Sequence, residues 1–290
     1  MNEDNCYFVS AKGILHSCNV KSNIPVSNIR QLYQYDWSNL QEGCTVYICN
    51  SAILTFSVII HQLPCKIILV SGDSYDCCPM ELFPTKKDFE QFVENERILH
   101  WFSQNLIIHH PKMTQIPIGM DYTMTIDGKS ISPLEQEKEL LHIRHISLPF
   151  FERIPKIYAN FHFSIHSKFA QERKDAISQI PKDLIYYESS RMEKYETWQK
   201  QIEYAFVASP YGNSLDSHRT WEALCLGCIV IIKSSPLDDL YDGLPVLIIG
   251  EWSCITERVL LNTIEKYKCM DFYFEKLSLN YWMSKINDTW

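Results

Sequence analysis

The sequence predicts an α/β protein made of two Rossmann-like domains facing a central cleft. Three observations lead there. Apolar, β-branched runs alternate with helix-period segments along the whole chain, the pattern of βαβ units and parallel sheets. The length of 290 residues suits two domains of roughly 100–150 residues better than one. Midway, Gly128, Pro133, Pro149 and Pro155 surround one charged helix, Leu134–His145, and interrupt the alternation.

In the first half, Tyr7–Ser10, Thr45–Cys49, Lys66–Ser71 and Leu106–His109 read as strands, with helices at Ser51–Leu63 and Lys87–Phe102. After the interruption come strand Lys156–Phe163, helix Lys168–Gln179, strand Asp183–Tyr187, helix Met192–Ile202 and strand Tyr204–Ala208. A helix over Asp216–Gly227 follows, then strands Cys228–Lys233 and Pro245–Ile249, and helices at Ser253–Tyr267 and Phe274–Ile286. The boundaries that result are a first domain at 1–125, a linker at 126–155, a second domain at 156–270, and a C-terminal helical segment at 271–290 returning toward the first domain.

With 46% apolar and 21% charged residues, the chain can bury a core in each half. A net charge of −8 argues against nucleic-acid or anionic-membrane binding, because neither polyanion gains from an acidic surface. No stretch of 18 or more apolar residues occurs. The N-terminus carries acidic residues where a secretion signal needs basic ones. A cytoplasmic location follows. Eleven scattered cysteines then read as reduced, buried, small apolar residues. Cys225 and Cys228 lack a second pair at zinc spacing, and His162 and His166, four apart on a strand-like run, read as core or cleft lining rather than metal ligands.

The most informative segment is FVASPYGNSLDSHRTWEALCLG, Phe206–Gly227, a buried strand running through a turn into a helix. Gly212 and Asn213 tolerate positive φ, so the loop could present backbone N–H groups to an anion. Asp216 or Ser217 is the natural N-cap, and a helix start adds a positive dipole end. A capping box counted from Asp216 would put Glu or Gln at position 219. Arg219 stands there instead, and a cation beside a positive helix end makes sense facing a diphosphate. Glu222, three residues on, shares that helix face and suits ribose hydroxyls.

The segment from Ser209 to Ile249 resembles the donor-binding region of exostosin-like glycosyltransferases: a Pro-x-Gly turn, Arg219 and Glu222 three apart, then Gly227-Cys-Ile-Val230 entering a strand. The compact soluble members encoded by large DNA viruses are the most similar in length, which would place the chain in a host cytoplasm. The resemblance implies a GT-B fold, an N-terminal acceptor domain and a C-terminal nucleotide-sugar domain. It implies a UDP-sugar donor, xylose foremost, a glycan acceptor that a glycoprotein could carry, and inversion at the anomeric carbon. By position, Arg219 and Arg173 would stabilise the leaving diphosphate, Ser214 and Ser217 its oxygens, Asn160 would approach it, and Glu222 would hold the ribose. Tyr187, ending the strand from Asp183, is the candidate at the nucleobase. No Asp-x-Asp occurs, so arginines and a helix terminus would replace a divalent ion, and no metal or other cofactor is required.

Inverting transfer needs a general base near the acceptor hydroxyl. Asp73 is the best candidate, because the run Lys66–Ser71 ends in Gly72-Asp73-Ser74 on a turn that glycine permits. Asp76 is the alternate base. Asp121 and His109, each ending an extended run, are candidates for acceptor contact. A non-catalytic nucleotide- or glycan-binding module is the competing reading.

Overall fold

The computed structural model describes residues 3–22, 28–126 and 129–289. Gly128, expected in the linker, lies outside them. The chain divides into two compact units. One is Gly119–Leu277, and the other comprises the residues up to Ile118 together with the C-terminal stretch from Ser278.

The first unit opens with α1 (Ala11–Ser17), whose N-cap Ser10 accepts the Gly13 N–H. The strand expected at Tyr7–Ser10 is therefore not a strand. What remains of it is isolated bridging, such as Phe8 to Ser278, because the Ser10 hydroxyl caps a helix that starts at Ala11. A four-stranded parallel sheet follows in spatial order β1 (Cys44–Cys49), β2 (Ile67–Gly72), β3 (Ile98–Ser103), β4 (Met113–Gln115). Helices α2 (Ile53–Ile59) and α3 (Lys86–Val93) make the crossovers. Val46, Ile48, Phe56, Leu69, Phe92 and Trp101 form its core.

The helix expected over Lys87–Phe102 stops early. After Glu94, the Asn95 carboxamide accepts the Arg97 N–H at 2.9 Å, and this local turn competes with helix continuation. Residues 98–103 then pair with β2. With that edge filled, Leu106–His109 does not form a strand and keeps a single bridge, Leu106 to Cys78.

In the second unit, a short antiparallel pair, β5 (Thr125–Ile126) and β6 (Lys129–Ser130), precedes α4 (Pro133–Ile146). Ser132 and Glu135 form a full capping box at the α4 start. Leu140 and Ile143 are buried, and Arg144 donates to the Cys225 carbonyl at 2.8 Å. The segment read as a linker thus carries a helix packed into this unit. Next come β7 (Ile154–Ala159), α5 (Ala170–Gln179), β8 (Ile185–Tyr187), α6 (Lys194–Gln201), β9 (Tyr204–Ala208), α7 (His218–Cys225), β10 (Ile229–Lys233), β11 (Val246–Ile249) and α8 (Glu257–Lys268). The strands form a five-stranded parallel sheet in the order β11-β10-β9-β7-β8. From β7 the chain steps outward to β8 and then crosses back to β9, so the topological switch lies between β7 and β9. Open parallel sheets bind ligands at the carboxyl ends of strands at such a point. Helix α9 (Leu279–Asn287) packs on α1 in the first unit.

The alternating pattern is therefore realised as two parallel α/β sheets. No helix among the described residues is long and apolar enough to cross a membrane.

Candidate functional site

A cleft of about 230 Å³ opens in the second unit, lined by residues including Asn160, Phe163, Glu188, Arg191, Thr197 and Arg219. Asn160 directly follows β7 and Glu188 directly follows β8, so the cleft lies at the carboxyl ends of β7 and β8, on one side of the switch.

Arg219 is its central cation. Its Nε donates to Asn160 Oδ1 at 3.0 Å. Its Nη1 is buried with no hydrogen-bond partner. Burial pulls the guanidinium down to about 10, and the neighbouring Arg173 charge adds to that, offset in part by Glu222 and Tyr158. Two cations held close together without a carboxylate on the buried nitrogen favour an anionic ligand.

Arg173 is buried and works on the loop before α7. Its Nε donates to the Tyr211 carbonyl at 2.7 Å and its Nη1 to the Ser164 carbonyl at 2.6 Å. Its sequence neighbour Glu172 accepts the Tyr211 N–H at 2.9 Å and the Trp252 indole N–H at 2.8 Å. Burial pushes the Glu172 carboxyl up to about 7 against these two bonds.

The loop differs from expectation in two respects. Gly212 and Asn213 are not among the positive-φ residues. A Cβ at 212 would stand 3.2 Å from Arg173 Nη2, so any larger residue there would push on that guanidinium. The Gly212 N–H is also taken, by the Ser214 carbonyl at 3.0 Å, so the N–H groups of 211 and 212 are both already bonded, one to α5 and one within the loop. Asn213 Oδ1 accepts the Lys168 N–H at 3.3 Å, and the Ser214 hydroxyl donates to the Asp216 carbonyl at 2.7 Å.

Capping also departs from expectation. Ser217 holds the N-cap position of α7 but makes no side-chain cap bond. The third helical position is then Thr220, whose hydroxyl pairs with Ser209 at 2.8 Å. Asp216 is buried, and its carboxylate accepts from the Trp221 indole at 2.9 Å, the Tyr241 hydroxyl at 2.8 Å and the Ser217 N–H at 2.8 Å. It holds the helix start to the core. Glu222 forms an ion pair with Lys194 at 2.7 Å, and Lys194 also reaches the Asp121 carboxylate at 3.4 Å. Lys194 is raised by these two carboxylates against the opposing effect of burial. The Asp121 carboxyl is lowered: its burial works upward, and Lys194 and His218 pull it down. Asp121 further accepts the Thr123 hydroxyl at 2.8 Å. Tyr187 packs edge-on against His162, ring centroids 5.1 Å apart, and burial pushes its phenol up to about 12.

The remaining candidates belong to the first unit. Asp73 follows β2 and is half-buried, at φ +55°. The left-handed residue of this turn is thus the aspartate, one of the few residue types that tolerate it. Gly72 serves close packing, because a Cβ there would meet Gln104 Oε1 at 2.3 Å. Gln104 is fully buried; it accepts the Asp73 N–H and donates to the Pro117 carbonyl, both at 2.9 Å. Asp76 accepts the Ser74 hydroxyl in a short bond. His109 is exposed.

Sequence reasoning missed Glu172, Glu188 and Lys194. Glu172 and Glu188 gave no signal beyond following or preceding a nominated residue. Lys194 sits in an ordinary charged helix. Cys225 and Cys228 are both buried, and burial raises both thiols.

No protein family profile matches the chain, and neither does any curated protein. Solved structures give distant matches. One is the apo structure of OtsA, at 10% identity over 85% of this chain and 73% of that one, with a TM-score of 0.40. Another is a structure described as trehalose-6-phosphate from E. coli bound with UDP-2-fluoro glucose, at 8% identity over 86% and 74%, with a TM-score of 0.38. Likeness of this degree says nothing about the chemistry of this chain.

Proposed function

We propose that the chain is a glycosyltransferase of the GT-B, exostosin-like type that transfers a sugar from a UDP-sugar to a glycan acceptor with inversion. The carrying observation is Arg219, a half-buried arginine whose Nη1 is buried and unpartnered and which has a second arginine beside it, in a cleft at the carboxyl ends of a parallel sheet. Such a cation is suited to the diphosphate of a sugar nucleotide, in both the ground state and the leaving group.

In the proposed reaction the acceptor hydroxyl oxygen attacks the anomeric carbon and gives its proton to Asp73. The bond from that carbon to the diphosphate oxygen breaks, and its electron pair leaves with UDP, whose charge Arg219 meets. Arg173 contributes charge and holds the loop. Asp76 is the alternate base, Asp121 and His109 are the acceptor contacts, and Asn160, Tyr187, Gly212, Asn213, Ser214, Asp216 and Ser217 build the donor site. No metal enters this scheme, and xylose is the favoured sugar. The competing reading, a binding module without turnover, is favoured by one observation: Lys194 already neutralises both Glu222 and Asp121.

The test is nucleotide release from a panel of UDP- and GDP-sugars with sugar and glycan acceptors, with and without EDTA. The proposal expects release from a UDP-sugar, undiminished by EDTA. Tight UDP binding with no release from any donor would support the binding module, and loss of activity in EDTA would overturn metal independence.

A further inference from the structure

Resting on that donor-site reading, we propose that Glu188 is the residue that accepts the ribose hydroxyls of the nucleotide, and that Glu222 serves as the structural partner of Lys194. The buried carboxylates of the second unit divide into two kinds. Glu172, Asp216 and Glu222 are each answered by donors of the chain: backbone and indole N–H groups, a phenol, or the Lys194 ammonium. Glu137 likewise accepts the Tyr122 hydroxyl at 2.8 Å. Glu188 differs. It is 6% exposed, it lines the cleft, and its Oε1 is buried without a hydrogen-bond partner. A buried carboxylate oxygen without a donor is costly, and a ligand that brings donors removes the cost.

The position fits one kind of donor. Ala159 and Tyr187 are paired across β7 and β8, and the Glu188 N–H donates to the Ala159 carbonyl at 3.1 Å. Glu188 therefore stands beside Asn160 at one strand spacing, about 4.8 Å, and Asn160 in turn holds Arg219 Nε. The cleft thus carries a guanidinium nitrogen without a partner and, one strand further toward the sheet edge, a carboxylate oxygen without one. A nucleoside diphosphate has the matching order, with anionic oxygens first and then the vicinal ribose hydroxyls, two neutral donors whose spacing suits the two oxygens of a carboxylate. The ribose role that the sequence pattern suggests for Glu222 passes in this way to a residue at the end of β8.

Binding of UDP, 2′-deoxy-UDP, GDP and 2′-deoxy-GDP is measured by calorimetry for the whole chain and for Glu188→Ala, Glu188→Gln and Glu222→Gln, with thermal melting to confirm that each folds. The wild type should prefer each ribonucleotide over its deoxy form by about tenfold or more, the worth of a hydrogen bond to a charged group. Glu188→Ala should lose that preference while its 2′-deoxy-UDP affinity stays near wild type, Glu188→Gln should keep part of it, and Glu222→Gln should keep all of it. A preference that survives in both Glu188 variants overturns the proposal, as does one lost only in Glu222→Gln. Should Glu188→Ala change the UDP-to-GDP ratio and leave the ribo-to-deoxy ratio intact, the carboxylate meets the base and the ribose assignment is wrong. A wild type that binds none of the four nucleotides removes the donor-site reading itself, whereas binding without a ribose preference removes this inference alone.

Discussion

Replacing Arg219 by methionine keeps most of the apolar stem and removes the guanidinium. In the free protein that group is under strain: burial, with help from Arg173, lowers it from the ordinary guanidinium range to about 10. Each unit is worth about 1.4 kcal/mol, which gives an upper bound of about 3 kcal/mol. The side chain is only half-buried and its Nε bond to Asn160 is lost with the charge, so a net gain of about 1 kcal/mol is the better figure. The unliganded variant should therefore melt at the same temperature as wild type or about 2–4 °C higher. Its UDP affinity should fall about 10- to 100-fold, the loss of a charge-assisted hydrogen bond of about 1.5–3 kcal/mol. Scanning fluorimetry and calorimetry read the two effects separately. A variant that melts several degrees lower and binds UDP as wild type does would make Arg219 a structural residue and refute the anion-site argument.

Three further outcomes follow. Asp73→Asn should retain UDP binding and lose transfer about 10²–10⁴-fold, the usual contribution of a general base; normal turnover in that variant eliminates Asp73. Glu172 has a folded-state carboxyl at about 7 against 4.5 in a free side chain, so the folded state binds the proton more strongly. Its burial then costs nothing below about pH 4.5, an increasing amount from there to about 7, and a constant amount above. The melting temperature of Glu172→Gln relative to wild type should rise across that window and then level, and a flat difference would contradict the burial argument. Gly212→Ala brings a Cβ to 3.2 Å from Arg173 Nη2 and should weaken UDP several-fold while the melting temperature changes little; unchanged affinity would free the loop from any role in binding.

The parts of this protein legible in its sequence are those whose cause is local. Tyr204–Ala208 is a strand with the bounds its apolar run implies, and the charged helix expected over Leu134–His145 is α4, Pro133–Ile146. Leu106–His109 misled because its apolar character serves burial of Leu106 beside Cys78, while the place beside β3 goes to Met113–Gln115. Arg219 could be singled out because an arginine at a helix start contradicts local preference. The carboxylates could not be ranked in that way. Glu222 and Glu188 look alike as residues, and they differ only because Lys194, on another helix, reaches one and leaves the other. The φ of Asp73 was equally hidden, since the packing of Gln104 against Gly72 moves the left-handed residue one place along.

The loop at 211–214 is gripped from α5 by two consecutive residues, Glu172 on the Tyr211 N–H and Arg173 on the Tyr211 carbonyl. The smallest transplantable piece is consequently discontinuous. Moving Tyr211–Ser214 alone onto another parallel sheet would leave a residue whose N–H and carbonyl both lack their partners, while a chimera carrying the Glu172-Arg173 pair as well would bring its own clamp. The same pairing constrains drift, because a neutral change in one segment has to be read against a residue some forty positions away (roughly the length of one βαβ unit).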